Sequence, residues 1–215
     1  MRVVLVTPVF VVQPLGEIGV GGRVLTTLFF SLLLIAGVWA VADKRTPAIV
    51  VGAVVFAALA VRWLRLWSGT GSLVFSDAIV SYAFCVVVAV VVLAQVFRAG
   101  PITVRRIQGA VAAYLLLGMA WAFAYQGVAH ELPAAFAFAG KSAPDGAGIP
   151  DFVYFTFVTL TTVGYGDITA VHPLARSLVT IEALIGQLFP AVLLARLVSM
   201  EMAYAGARAP RRGDG

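Results

Sequence analysis

Long apolar runs separated by short polar breaks constrain this chain more than any other feature of its sequence. A helix that crosses a bilayer needs about 20 predominantly apolar residues, each of which advances it by about 1.5 Å. Four runs meet that length: 24–42, 79–97, 107–129 and 177–200. Only 12% of the residues are charged and 61% are hydrophobic, whereas soluble domains carry roughly a quarter charged residues. We therefore predict an all-α membrane protein.

A fifth apolar run, 48–66, is weaker because Arg62 and Arg65 interrupt its end. Trp63 and Trp67 lie beside the two arginines, and aromatic residues beside snorkelling arginines are typical of helix ends at the headgroup level. The sequence therefore predicts about five spanning helices. The arginines have the spacing of a voltage sensor, but a steep response needs about three or four charges, so we predict weak voltage dependence.

The first 23 residues are harder to interpret. An apolar run at 3–12 is similar to the core of a signal peptide, but no clear cleavage site follows before Gly21. We favour an interfacial segment or a partial helix, because the run is too short to span a bilayer.

Between the last two long runs lies an apolar segment that is too short to cross. Residues 151–162 are compatible with a helix and follow Pro150, which suits a first helical turn; they would extend about 18 Å. The preceding stretch, 131–150, is rich in Ala, Gly and Pro and is expected to be irregular. A short helix at membrane depth indicates a re-entrant segment, and the irregular backbone after it must be buried or line a water-filled path.

This segment leads into the string Thr-Val-Gly-Tyr-Gly at 162–166. The string resembles the selectivity filter of the potassium channel superfamily. The flanking segments 107–129, 151–162 and 177–200 resemble the outer helix, pore helix and inner helix of its bacterial two-transmembrane pore type. The resemblance covers about half of the chain and implies a homotetramer in the lipid bilayer. Such a channel conducts K⁺ passively, needs no cofactor and is not an enzyme.

The resemblance also assigns roles to the filter residues. It implies that K⁺ is bound by the backbone carbonyls of Thr162, Val163, Gly164 and Tyr165, with the Thr162 hydroxyl below them. Consecutive carbonyls that point one way require unusual dihedral angles. Gly164 and Gly166 suit that need, because glycine reaches positive φ without a Cβ penalty.

Further residues are expected to support the filter and its outer mouth. In the family pattern Tyr165 points away from the pore and packs against Tyr154 and Phe155, and Thr161 supports the base of the filter. Asp167 either contributes to a ring of carboxylates that concentrates cations or accepts hydrogen bonds that brace the filter. The sequence leaves both roles open.

Three residues of the inner helix are candidates for gating or bracing. Gly186 and Pro190 lie four residues apart and predict either a hinge, because Pro removes a helical hydrogen bond, or close helix packing. Glu182 lies one turn before Gly186, where a charge is costly unless it is paired or wet. Glu182 is therefore expected to brace the pore helix or to attract ions or sense protons.

The distribution of basic residues predicts the orientation. If the filter loop lies outside, the outer loops at 67–76 and 131–173 hold only Lys141. The inner side then carries Lys44, Arg45, Arg98, Arg105, Arg106, Arg208, Arg211 and Arg212. This asymmetry agrees with the placement of the filter.

The chain thus divides into an N-terminal segment (1–23), a three-helix part (24–100), a pore module (101–202) and a basic tail (203–215). The expected function is a potassium-selective channel of the cell membrane, and family resemblance favours a bacterial inner membrane. The alternatives are a weakly selective cation channel and a non-conducting membrane sensor or scaffold. Nucleic acid is not an expected partner, because the basic residues form no aromatic-interleaved face.

Three isolated residues carry weaker signals. Cys85 lies in an apolar run and is expected to pack as a small hydrophobic residue. His130 and His172 have no metal-ligand spacing. We expect both histidines at the surface of the outer mouth, where pH sensing is the alternative role.

Overall fold

The computed structural model describes residues 74–98, 103–139, 141–142 and 147–208. The predicted N-terminal segment, the spans at 24–42 and 48–66 and most of the basic tail lie outside the described residues. The described part has four helices, α1 to α4, and three short strands, β1 to β3. In chain order they are α1 (Val74–Val96), α2 (Val104–Glu131), β1 (Phe136–Phe138), β2 (Lys141–Ser142), α3 (Ile149–Leu160), β3 (Ile168–Ala170) and α4 (Pro173–Arg208).

Three of these helices are long and apolar enough to cross a membrane. The candidate spans are Phe75–Val96 in α1, Arg106–Glu131 in α2 and Pro173–Met202 in α4. They confirm the spans predicted at 79–97, 107–129 and 177–200, with bounds that differ by a few residues. The largest differences concern α4, which begins at Pro173 and continues to Arg208; a proline in the first turn is pre-organised for the helix.

The earlier start of α4 also changes the charge distribution near the filter. Arg176 lies in the first turn of α4, at the end of that helix that follows the filter loop. The outer loop predicted at 131–173 ends before Arg176. If this end of α4 lies outside, as predicted, Arg176 adds to Lys141 on the outer side, and the predicted excess of basic residues on the inner side remains.

Helix α1 packs along α2 through small residues. A Cβ added at Gly127 would lie 3.6 Å from the Cβ of Ala78, a distance that permits close approach of the two backbones. Phe84, Cys85 and Val88 of α1 are buried in the main hydrophobic cluster. Cys85 therefore packs as a small hydrophobic residue, as its apolar surroundings predict.

A small antiparallel sheet replaces the irregular structure expected in 131–150. Its strand order is β2-β1-β3, with Phe136 opposite Ala170 and Phe138 opposite Ile168. The alternation Ala-Phe-Ala-Phe at 135–138 has the period of two that places one set of side chains on a buried face. The fold remains that of a helical membrane protein, with this sheet joining the residues before α3 to those after the filter.

Helix α3 begins and ends two residues earlier than predicted. It starts at Ile149 after Gly148, whose N–H donates to Asp151 Oδ2 at 2.9 Å, and Pro150 lies within its first turn. It ends at Leu160, and the N–H of Thr161 then donates to the carbonyl of Phe157 at 3.1 Å. With 12 residues, α3 is too short to cross a bilayer.

Candidate functional site

The loop after α3 has a positive φ at every second residue from Thr162 to Gly166. The φ angles of Thr162, Gly164 and Gly166 are +62°, +56° and +79°. Glycine adopts this region without a Cβ penalty, whereas a threonine there is uncommon. The sequence predicted positive φ at the two glycines and missed it at Thr162.

The amides of this loop are bound by the carboxyl end of α3. The N–H of Thr162 donates to the carbonyl of Thr159 at 2.9 Å. The N–H groups of Val163 and Gly164 donate to the carbonyl of Val158 at 3.0 and 3.3 Å. These bonds occupy carbonyls that a helix end otherwise leaves unpaired. Within the described ranges, no hydrogen bond ends on the carbonyl oxygens of residues 162–166.

The two aromatic residues expected beside Tyr165 have different positions. Phe155 is buried in the core of the chain, with its ring centroid 5.4 Å from that of Tyr125 and 5.8 Å from that of Phe136. It therefore packs α3 against Tyr125 of α2 and Phe136 of β1, and it does not pack on the Tyr165 ring of the same chain. Tyr154 is partly exposed, and Tyr165 is 71% exposed within one chain.

Asp167 is held by hydrogen bonds at both carboxylate oxygens. The hydroxyl of Tyr154 donates to Asp167 Oδ2 at 2.8 Å, and the N–H of Ile168 donates to Oδ1 at 3.0 Å. The hydrogen bond to this carboxylate raises the pKa of the Tyr154 phenol, so Tyr154 remains a donor at neutral pH. The bracing role of Asp167 thus has a geometric basis, while the carboxylate also stays exposed at the end of the loop.

Glu182 joins three helices through its carboxylate. It is fully buried and accepts hydrogen bonds from the hydroxyl of Thr156 on α3 and the hydroxyl of Tyr125 on α2. Both donors are also fully buried. The sequence indicated that Glu182 needs a partner but did not find these two, because they lie 26 and 57 residues away. These hydrogen bonds give the bracing role of Glu182 a geometric basis, and its role stays a prediction.

Gly186 lies against the carboxyl end of α3. A Cβ added there would come within 2.7 Å of the carbonyl oxygen of Leu160 and 2.8 Å of its Cα. The same carbonyl accepts a hydrogen bond from the hydroxyl of Tyr114 at 3.1 Å, and the Tyr114 ring lies 5.4 Å from that of Phe189. Gly186 is therefore a close-packing position, and a hinge at Gly186 and Pro190 stays a prediction.

These features define a class of protein: a membrane protein in which a short helix and a loop of alternating handedness are held between two spanning helices. Residues 110–203 match the family model described as an ion channel. The match runs from α2 through α3 and the loop into α4, so this part of the chain is similar to that ion-channel family. The family transports ions and needs no cofactor. Comparison with curated proteins and with solved structures finds no match to the chain.

Proposed function

We propose that this protein is a potassium-selective channel that conducts K⁺ passively as a homotetramer in a bacterial plasma membrane. The observation that carries this proposal is the alternating backbone of the filter loop, residues 162–166. Alternation of right- and left-handed residues brings successive N–H groups to one side of the chain. Because the amides of Thr162, Val163 and Gly164 donate to carbonyls of α3, we place the carbonyl oxygens of the loop on the opposite side.

A row of such carbonyls suits a dehydrated K⁺ ion. In potassium filters carbonyl oxygens replace the hydration shell of the ion. We assign the ligands to the carbonyls of Thr162, Val163, Gly164 and Tyr165 and to the Thr162 hydroxyl. The carboxyl end of α3 lies at the base of the loop, where the negative end of its dipole favours a cation.

One chain supplies oxygens on one side of an ion, so several copies must converge around an axis. The exposed surface of α4 supports this assembly. Within one chain, large apolar side chains are exposed at the three- and four-residue spacing of a single helix face, at Ile181, Leu184, Leu188 and Val192. The exposed ring of Tyr165 would then pack on a neighbouring copy. The proposed pore module is residues 101–202, flanked by the N-terminal helices.

The proposal is tested by K⁺ flux into liposomes that contain the purified protein. We expect flux with K⁺ that falls to background when Na⁺ replaces K⁺, and that Gly164→Ala abolishes, because φ is +56° at this position. Gly127→Ala is the matched control: its added Cβ would be in ordinary van der Waals contact, so flux should persist.

Other outcomes distinguish the alternatives. Equal flux of Na⁺ and K⁺ would indicate a weakly selective cation channel. A folded tetramer without flux in either ion would contradict the channel proposal and favour a membrane sensor or scaffold.

A further inference from the structure

The residues between the filter and α4 are bound along their whole length by the strand that precedes α3. Three residues of β3 pair with β1, with Ala137 opposite Thr169 at the centre. Hydrogen bonds continue this pairing beyond both ends of the two strands. The N–H of Ala139 donates to the carbonyl of Asp167 at 2.5 Å, and the N–H groups of Val171 and His172 donate to the carbonyl of Ala135 at 2.9 and 3.3 Å. Residues 135–139 therefore cover residues 167–172.

The strand that makes these bonds is itself anchored in the core. Ala135 is fully buried, and Phe136 is 1% exposed. The Phe136 ring makes edge contacts with Tyr125 of α2 at 5.4 Å and with Phe152 of α3 at 5.2 Å between centroids. Aromatic contacts of this kind add to the stability gained from burial. The position of β1 is thus fixed by the helices on either side of it.

The end of β1 shows local backbone strain at the point where it reaches Asp167. Ala139 has a φ of +47°, a conformation that is strained for an L-residue other than Gly. This conformation ends the strand at the residue whose N–H binds the Asp167 carbonyl. Strained residues of this kind persist where the surrounding structure holds them, and they are frequent at functional sites.

A second contact joins the same segment to α4. The guanidinium Nε of Arg176 donates to the carbonyl of Ala170 at 3.2 Å. The segment after the filter is thus bound to β1 on one side and to the first turn of α4 at its end. Among the described residues no strand pairs with the filter itself, and its amides at 162–164 donate to the carboxyl end of α3.

We propose that β1 acts as a clamp on residues 167–172, which follow the filter in the chain. Its pairing with β3 then determines how long the filter keeps its conducting shape. This inference rests on the proposed channel function and deepens it, because it assigns a positioning role to residues 135–139. When the clamp is intact, the carbonyl of Asp167 is fixed and the filter backbone before it cannot relax. When the pairing opens, the last filter residues lose that support and conduction stops.

A reversible cross-link tests the clamp directly. Ala137 and Thr169 are directly opposite in the sheet, and opposite residues of an antiparallel pair are about 4.5–5.5 Å apart at Cα, within the range of a disulfide. The double variant Ala137→Cys/Thr169→Cys should form a disulfide with oxidant. Its K⁺ current during sustained opening should then decay several-fold more slowly than after reduction of the same protein. Each single cysteine variant should show no redox effect.

A variant at Ala139 and its control test whether weaker pairing of β1 with Asp167 speeds the decay of the K⁺ current. Ala139→Pro removes the N–H that binds Asp167 and cannot adopt the positive φ. It should speed current decay by about fivefold to tenfold, the effect of losing about one hydrogen bond. Ala139→Gly keeps the N–H and tolerates the φ, so its decay should match the wild-type rate.

The possible results separate the clamp from the channel proposal. Thiols at 137 and 169 that do not cross-link in the folded protein, or a cross-link without effect on decay, would overturn the clamp alone. Absence of K⁺ flux from the wild-type protein would overturn the proposed function and the clamp with it.

Discussion

The two halves of α4 have very different surroundings. In the first half, Arg176 binds the segment after the filter, Glu182 binds hydroxyls of α2 and α3, and Gly186 lies against the end of α3. In the second half, no residue from 187 to 202 is buried within the chain. The first half therefore packs against α2, α3 and the segment after the loop, whereas the second half has surface available for other copies of the chain, for lipid and for movement.

This difference predicts that substitutions in the first half reduce stability far more than substitutions in the second. The largest effect is expected for Glu182→Leu, which leaves the hydroxyls of Thr156 and Tyr125 buried without their acceptor. Each unsatisfied group costs about 1–3 kcal/mol. We expect a loss of about 3 kcal/mol or more, measured by thermal unfolding of the purified protein in detergent.

Two further variants test whether the loss of stability comes from the unsatisfied hydroxyls. Gln187→Leu introduces the same side chain in the exposed half and should change stability by at most about 0.5 kcal/mol. The triple variant Tyr125→Phe/Thr156→Val/Glu182→Leu removes the donors together with the acceptor and should recover part of the loss. Wild-type stability of Glu182→Leu alone would show that the carboxylate does not brace the helices.

Gly186→Ala should have the next largest effect. The added Cβ would lie 2.7 Å from the carbonyl oxygen of Leu160, a backbone atom, so α4 must move away from α3. Inserting a methyl group into a packed contact costs about 1–3 kcal/mol. Thermal unfolding should show this loss, and Gly127→Ala, which adds a Cβ without a close contact, should not. Equal stability of the two variants would contradict the packing at Gly186.

Features with a local sequence signal could be predicted, whereas contacts between residues distant in the chain could not. The spans, the short helix and the filter string have local signals, namely apolar length, Pro150 and the spacing of Gly164 and Gly166. The contacts of Glu182 have no such signal, because their partners are distant in the chain. The sheet did have a local signal in the alternating Ala and Phe residues at 135–138, but the frequent Gly, Ala and Pro around it favoured an irregular interpretation.

A smaller effect is expected at the outer end of the filter. Tyr154→Phe removes the hydroxyl that donates to Asp167 Oδ2 and leaves the ring in place. Because this hydrogen bond lies at an exposed site, where water competes for both groups, the variant should lose less stability than Gly186→Ala. Its K⁺ current should decay faster. Tyr82→Phe is a control at an exposed tyrosine of α1. Identical decay in Tyr154→Phe and wild type would favour the cation-concentrating role of Asp167 over the bracing role.

Pro190→Ala should have the smallest effect on stability and still change gating. Pro190 lies within α4 and is exposed, and a proline in a helix leaves the carbonyl four residues earlier without its N–H partner. That carbonyl belongs to Gly186, which packs against the end of α3, so the weakened turn separates the supported half of the helix from the exposed half. Alanine restores the hydrogen bond and stiffens this junction.

If bending at the junction opens the pore, single-channel recordings of Pro190→Ala should show a lower open probability while the free energy of unfolding stays within about 1 kcal/mol of wild type. Unchanged open probability in both Pro190→Ala and Gly186→Ala would contradict the hinge, and the two halves of α4 would then differ only in what they pack against.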